Sequence, residues 1–436
     1  MSTSRLPHMR HFIITLLCCL SLTQLSNGQL IAEVRTSMGN FSITLETSKA
    51  RRTVAHFMRL ANGQQPILDH TTGQVIQGVK FYDGLKFHKT VNEAPPFFPA
   101  LKKYIQTGSR DGTDAYNPGY VIRDEIRSFP NGNLLAPHTQ YVVSMVPATG
   151  PGGIPSPHSS STQFLITLVN DNSLNGVQSA FGKVNQLFIN YDSNNTPISV
   201  GDNGWLVVQA IHASQNPVTI YNITFRRLDA AAIAFDETQL YGELPLVGQV
   251  GITSLEHTPT HINIGHPNLP GSEFHIYSST DLFTWSHVSF ASEYLHTSSP
   301  TPPEFSLTHA NTPKWFFKLS AVTYPQIATP NNLLGKYLLV GGGTSESISF
   351  VFDTNGISPY YNITGTNTNV ALNYTYTPLG PFYGDLHITN PELGETIYRL
   401  YFGGQDENIT DTEQMSAIIY RPMQAPKASH FEILIP

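Results

Sequence analysis

Cysteine is nearly absent: two occur in 436 residues, adjacent at Cys18 and Cys19. If the N-terminal segment that holds them is removed, disulfides, thiolate metal sites and cysteine nucleophiles are all excluded. Charge is scarce as well, at 13% of residues against about 25% in an ordinary soluble protein. No block of basic residues occurs and the formal net charge is -7, a balance that argues against a nucleic-acid partner. The apolar run at 12–22 is too short to span a bilayer comfortably, so no membrane span is expected.

The deficit in charge is filled by Ser, Thr, Asn, Gly and Pro, a bias common in extracellular β-rich chains. The N-terminus agrees with that bias. Arg5 and Arg10 precede the apolar run, and Ser26-Asn27-Gly28 follows it. Such an order predicts a secretory signal peptide over residues 1–28, cleaved after Gly28. The expected location is therefore secreted, periplasmic or extracellular. A chain of this length has room for about two to four domains.

Residues 33–45 read as a hairpin turning near Met38–Asn40, with Phe41, Ile43 and Leu45 alternating with polar residues. Val54, Phe57, Met58 and Ala61 fall on one helical face before Gly63, which predicts a helix over 53–62. Strand-like runs follow at 85–89, 104–107, 140–146, 163–168 and 218–227, with a second helical segment at 207–211. Residues 229–249 read as a linker, 250–325 as a small β-module and 330–436 as a β-meander or barrel-like domain. The meander is lipocalin-like in outline, and Ser278–Trp285 resembles a small recurring β-module of secreted bacterial proteins.

One constellation carries chemistry. Ser161–Thr167 contains Gln-Phe-Leu-Ile at 163–166, and Ala-Phe-Gly-Lys-Val follows at 180–184. Upstream stand Phe-Tyr-Asp-Gly-Leu-Lys-Phe-His-Lys at 81–89, Pro-Gly-Tyr-Val-Ile-Arg-Asp-Glu at 118–125 and Ser-Met at 144–145. In order and spacing these resemble the core of a cyclophilin-type peptidyl-prolyl isomerase, over residues 29–228. The resemblance implies a mainly β fold: a closed antiparallel β-barrel with two helices, here followed by two C-terminal β-rich modules.

The same resemblance assigns residues. The family's donor to the prolyl nitrogen is the Arg of a Phe-His-Arg motif, and Lys89 stands there. Its Gln-Gly-Gly corresponds to Gln106, with Tyr104 beside it, and its Gln-Phe-Phe-Ile corresponds to residues 163–166. This implies Lys89 and Gln163 as catalytic, with Gln163 and Gln106 clamping substrate backbone. Phe164, Leu165 and Leu174 would form an apolar floor. Val146 and Pro147 replace an Ala-Asn pair, Ser173 replaces a Trp, and Gln178 stands where the family has a His. Phe97 or Phe98, in an insertion between Lys89 and Gln106, is a candidate replacement for the pocket phenylalanine that Leu165 displaces.

Lys is a hydrated point charge on a flexible stem, whereas Arg is a planar fork. The expected function is therefore prolyl isomerisation on X–Pro bonds of extracytoplasmic proteins, with reduced activity. The alternative is a non-catalytic proline-peptide-binding or structural surface protein on the same scaffold. Proline-containing polypeptides are the expected partners and no cofactor is implied. His257, His261 and His266 lie near one another without a carboxylate pattern, so they are read as polar loop residues and no metal is expected. Sequons occur at Asn40, Asn194, Asn222, Asn362, Asn373 and Asn408.

Overall fold

A computed structural model describes residues 29–93, 102–126, 136–238, 243–295, 303–308, 315–325, 329–334, 337–340, 348–352, 359–363, 370–390, 394–402, 413–420 and 427–434. The expected signal peptide (1–28) and Phe97 and Phe98 lie outside the described residues.

The first half is a barrel. Strands β1 (Leu30–Thr36) and β2 (Gly39–Leu45) form the hairpin expected from the alternation, and helix α1 (Arg51–Ala61) follows. A small hairpin, β3 (Ile67–Asp69) and β4 (Gln74–Ile76), precedes β5 (Lys89–Glu93), β6 (Lys102–Thr107), β7 (Val142–Met145), β8 (Phe164–Thr167) and β9 (Ala180–Val184). Then come a second hairpin, β10 (Leu187–Tyr191) and β11 (Pro197–Asn203), helix α2 (Gly204–Ala213) and β12 (Ile220–Arg227). Eight strands make one antiparallel sheet in the order β12-β1-β2-β9-β7-β8-β6-β5.

Short backbone contacts join its two edges. Just before β5, Lys86 bridges Thr219 and Phe87 N–H donates to Val218 O. Gly84 N–H donates to Ile220 O, and Ile220 N–H donates to Leu85 O. The sheet thereby closes, which leaves no long edge open over this stretch. The run at 85–89 was expected to be a strand in its own right. It makes one bridge at Lys86, and the regular strand begins at Lys89.

Alternation sets the interior. Ile105, Ile166 and Val143 lie directly opposite one another on β6, β8 and β7, and all three are fully buried. In the next inward row Phe164 pairs with Met145. From α1, Phe57 meets Phe164 edge-on at 5.6 Å, and it also packs on Tyr82 and Phe181. Burying aromatic side chains of this kind contributes on the order of 2–3 kcal/mol each. Helix α2 starts at an Asn203 cap to Leu206 N–H and packs Trp205 flat on Tyr141 at 4.8 Å.

The region read as a linker is partly structured. A short helix, α3 (Ala230–Ala234), is capped by Asp229, and Leu246–Val250 already pairs with Phe316–Thr323. Beyond it, a four-stranded and a three-stranded sheet share a core that includes Ile264, Phe274, Ile276 and Leu319. A nine-stranded antiparallel sheet forms the remainder around Leu338, Phe350, Leu386, Tyr398 and Leu400. Val322, Tyr324 and Phe382 from these modules are continuous with the barrel's apolar core. No helix among the described residues is long and apolar enough to cross a membrane. The fold is mainly β, as expected.

Candidate active site

Sheet register places most of the expected site residues together. Lys89 pairs with Gln106, Gln106 with Leu165, Leu165 with Ser144, and Ser144 with Ala180. Directly opposed residues share a face. Lys89, Gln106, Leu165 and Ser144 therefore form one file across four strands, on the side opposite the aromatic core. Tyr104 lies two residues along β6 on the same face, half-buried. Gln163 precedes β8 and also falls on this side, two residues from Leu165. Gln178 joins the file from the adjoining loop, where its Oε1 accepts from Ser144 Oγ at 2.8 Å.

Phe164 does not belong to this face. It is fully buried among Phe57, Tyr82 and Phe181, so it is a core residue and not part of an apolar floor. The cause is the two-residue period of β8: if Leu165 faces outward, Phe164 must face inward. Leu174 is half-buried at the end of the turn Asn172–Leu174, where its carbonyl accepts from Val177 and Gln178 N–H. Val146 is half-buried and donates its N–H to Gln163 O at 2.9 Å.

A residue without a sequence signal organises the site. Asp114 Oδ2 accepts from Lys89 Nζ at 2.5 Å, and its Oδ1 accepts from Gln106 Nε2 at 3.1 Å. Gln106 uses the same nitrogen to reach Gln163 Oε1 at 2.9 Å. Gln163 Nε2 donates in turn to the Asp114 carbonyl at 3.0 Å and faces the Tyr116 carbonyl at 3.4 Å. The two glutamines are thus buried and bonded to one another and to the loop, although the sequence reading offers them to a substrate. His88 Nε2 stands 3.6 Å from Asp114 Oδ1.

The electrostatics follow from these contacts. Partial burial works against the Lys89 charge. The hydrogen bond to Asp114 and the fields of Tyr104, Asp114 and Glu93 outweigh it and hold Lys89 above the usual lysine range. Lys89 is consequently a protonated donor at neutral pH. His88 moves the other way: burial lowers it more than the nearby Asp114 carboxylate raises it, so its imidazole is neutral. Burial likewise raises the Tyr104 phenol, and the Lys89 charge only partly offsets this. Among the described residues no group of His, Cys, Asp or Glu is arranged to hold a metal ion.

Asp114 and His88 were missed from sequence. His88 lies next to the expected donor, where its neutrality depends on burial that only the fold reveals. Asp114 sits in an irregular loop, where no periodicity marks a functional side chain.

Comparison with known proteins identifies the family. The family described as "Cyclophilin type peptidyl-prolyl cis-trans isomerase/CLD" matches residues 31–209. Peptidyl-prolyl cis-trans isomerase B of Streptomyces anulatus is 30% identical over 192 residues, which span 44% of this chain and 89% of that protein. Peptidyl-prolyl cis-trans isomerase A of Mycobacterium tuberculosis is 31% identical over 168 residues, 38% of this chain and 79% of that one. Among solved structures, a cyclophilin-type isomerase of Cryptosporidium parvum, crystallised in the presence of the dipeptide Ala-Pro, covers 45% of this chain and 98% of its own. Its identity is 19% and its TM-score 0.28. A relative 30% identical and matched over 89% of its own length, together with the family match over 31–209, places the chain in the cyclophilin-type peptidyl-prolyl cis-trans isomerase family.

Proposed function

We propose that the protein isomerises X–Pro bonds of extracytoplasmic polypeptides, with Lys89 as the polar donor. Rotation about such a bond is opposed by about 18–20 kcal/mol, because the carbonyl is conjugated with the nitrogen lone pair. No covalent step is needed. A donor that bonds the prolyl nitrogen stabilises the twisted amide in which that lone pair is free. A 10⁵-fold gain would require roughly 7 kcal/mol of stabilisation specific to the twisted state.

The observation that carries the proposal is the file Lys89–Gln106–Leu165–Ser144 across four strands. It sets a protonated amine, a side-chain amide and an apolar side chain in a row, the kinds of group the reaction requires. The fixed fork of an Arg is missing, so preorganisation of the donor is weaker and a lower rate follows. Action outside the cytoplasm is supported by the basic-then-apolar pattern at 5–22 and by the lack of cysteine after Cys19. Amino-terminal sequencing of exported protein tests it, with Gln29 as the expected first residue.

Rates are measured on the full chain by NMR exchange with an Ala-Pro peptide. Enhancement that falls at least tenfold in Lys89→Ala and rises in Lys89→Arg is the expected result. A second reading, a proline-peptide receptor without catalysis, is favoured by the engagement of Lys89 with Asp114. Peptide binding without rate enhancement in any of the three proteins would select it.

A further inference from the structure

We infer that Asp114 is a built-in competitor for the substrate, a residue that sets apparent peptide affinity by occupying the donors a peptide would use. The inference rests on the isomerase reading above and adds a residue and a regulation to it. Three donors lie on the outer face of the sheet: Lys89 Nζ, Gln106 Nε2 and Gln163 Nε2. All three are engaged by the segment 114–116. The Asp114 carboxylate takes the first two and its carbonyl takes the third.

The segment is a loop tied down at both ends, with the Asp114 carboxylate at its exposed outer edge. Its internal order is local: Asp111 Oδ1 accepts from Ser109 Oγ, Thr113 N–H and Thr113 Oγ1. One end is fixed at Gly108, whose φ of 95° and close approach to Thr162 O leave no space for a side chain. The other end is fixed where Pro118 O accepts from Leu68 N–H. Between these ends Tyr116 packs on the barrel core beside Phe81, and the Asp114 side chain is held to the sheet face by Lys89 and Gln106. The Lys89–Asp114 pair is about half exposed on the acid side, so it is a weak latch of the kind that is worth little in water and is screened by salt.

Opening costs a peptide part of its binding energy. If only a fraction of molecules has the donors free, the apparent dissociation constant rises by the inverse of that fraction. Removing the carboxylate releases Lys89 and one hydrogen of Gln106 while the fold stays intact, because the side chain lies on the surface. The change is expected in KM far more than in kcat.

The test compares wild type, Asp114→Asn, Asp114→Ala and Lys89→Ala as full chains. Exchange of a neutral Ala-Pro peptide is followed by NMR at about 0.05 M and about 0.5 M NaCl, a range over which exposed charge pairs are progressively screened. Both Asp114 variants should lower KM by roughly two- to tenfold with kcat little changed. Added salt should increase kcat/KM in wild type and leave both variants unaffected. Lower kcat/KM in both Asp114 variants would overturn the inference, since the carboxylate would then be holding Lys89 in its productive position. Identical salt responses in all forms would also overturn it. Should wild type show Lys89-dependent catalysis that the Asp114 variants merely match, only the competitor role falls. Should no form catalyse or bind the peptide, the isomerase reading falls and the competitor role with it.

Discussion

Gln106 donates to Gln163 across the outer face of the barrel, Nε2 to Oε1 at 2.9 Å, with both side chains buried. The pair forms a relay from β6, the strand beside that of Lys89, to the loop carbonyls of Asp114 and Tyr116. In Gln163→Leu the two loop carbonyls lose a donor and Gln106 loses an acceptor. The cost is about 1–3 kcal/mol, and amide exchange across residues 109–117 should accelerate. Gln163→Glu keeps the acceptor but points a carboxylate at two carbonyl oxygens. Its thermal midpoint should therefore fall further at pH 8 than at pH 5. Equal losses at the two pH values would mean that the loop carbonyls do not sense position 163.

Adjacent residues on β8 should respond in opposite ways. Phe164 packs inside against Phe57 and Tyr82, so Phe164→Leu removes buried volume. It should lower stability by about 1–2 kcal/mol and leave kcat/KM per folded molecule unchanged. Leu165 lies in the outer file between Gln106 and Ser144. Leu165→Phe should change kcat/KM for an Ala-Pro peptide by several-fold with a smaller effect on stability. Parallel thermal melts and NMR exchange separate the two, and an activity loss at Phe164 as large as at Leu165 would contradict the facing deduced from register.

Acid should destabilise the barrel through His56. This side chain is fully buried on α1, with Nε2 2.9 Å from Tyr120 Oη. Burial, assisted by the nearby Arg59 charge, lowers it to about 3. In the unfolded chain a histidine titrates near 6.5. Between those values the unfolded state binds the extra proton, so stability falls as pH drops from about 6.5 towards 3, at up to about 1.4 kcal/mol per pH unit. Below that window both states are protonated and the contribution no longer changes. His56→Gln should flatten this slope. The check is hydrogen exchange of the α1 amides between pH 4.5 and 7; a slope identical to wild type would remove His56 as its source.

How far the sequence discloses this protein depends on periodicity. The helix predicted over 53–62 forms as Arg51–Ala61, because Val54, Phe57, Met58 and Ala61 mark one face unambiguously. The segment at 207–211 extends to Gly204–Ala213, since the Asn203 cap is a weaker signal than an apolar stripe. Phe164 and Leu165 are both apolar, so composition alone cannot assign them to different faces. Register with Gln106 and Ser144 decides it. Asp114 was invisible for a different reason. Its role depends on a loop folding back onto Lys89, Gln106 and Gln163, and contacts between an irregular loop and a sheet leave no repeat in sequence. The small hairpin over residues 67–76 carries no such signal either, although it meets the small β-module of 250–325.

That meeting has a specific geometric requirement. Gly73 adopts φ of 66° at the turn between β3 and β4, and a Cβ there would lie 2.3 Å from Tyr277 Cδ2. Its carbonyl accepts from Ser320 Oγ at 3.1 Å, so the turn is seated on the sheet formed by Phe316–Thr323 and Ser272–Ser279. Nearby, His70 packs edge-on against His275 at 5.2 Å. Gly73→Val meets two penalties at once: a left-handed backbone unsuited to a β-branched residue, and a collision with a fully buried ring. The cheapest relief is separation of the hairpin from the module, not unfolding of either core. Exchange should therefore accelerate at Tyr277 and along Phe316–Thr323 while the amides of α1 keep their protection. Ser320→Ala, which loses one buried hydrogen bond worth about 1 kcal/mol, should move in the same direction by less. Loss of α1 protection in Gly73→Val would instead mean that barrel and module unfold as one unit, consistent with Tyr324 and Phe382 joining the barrel's core.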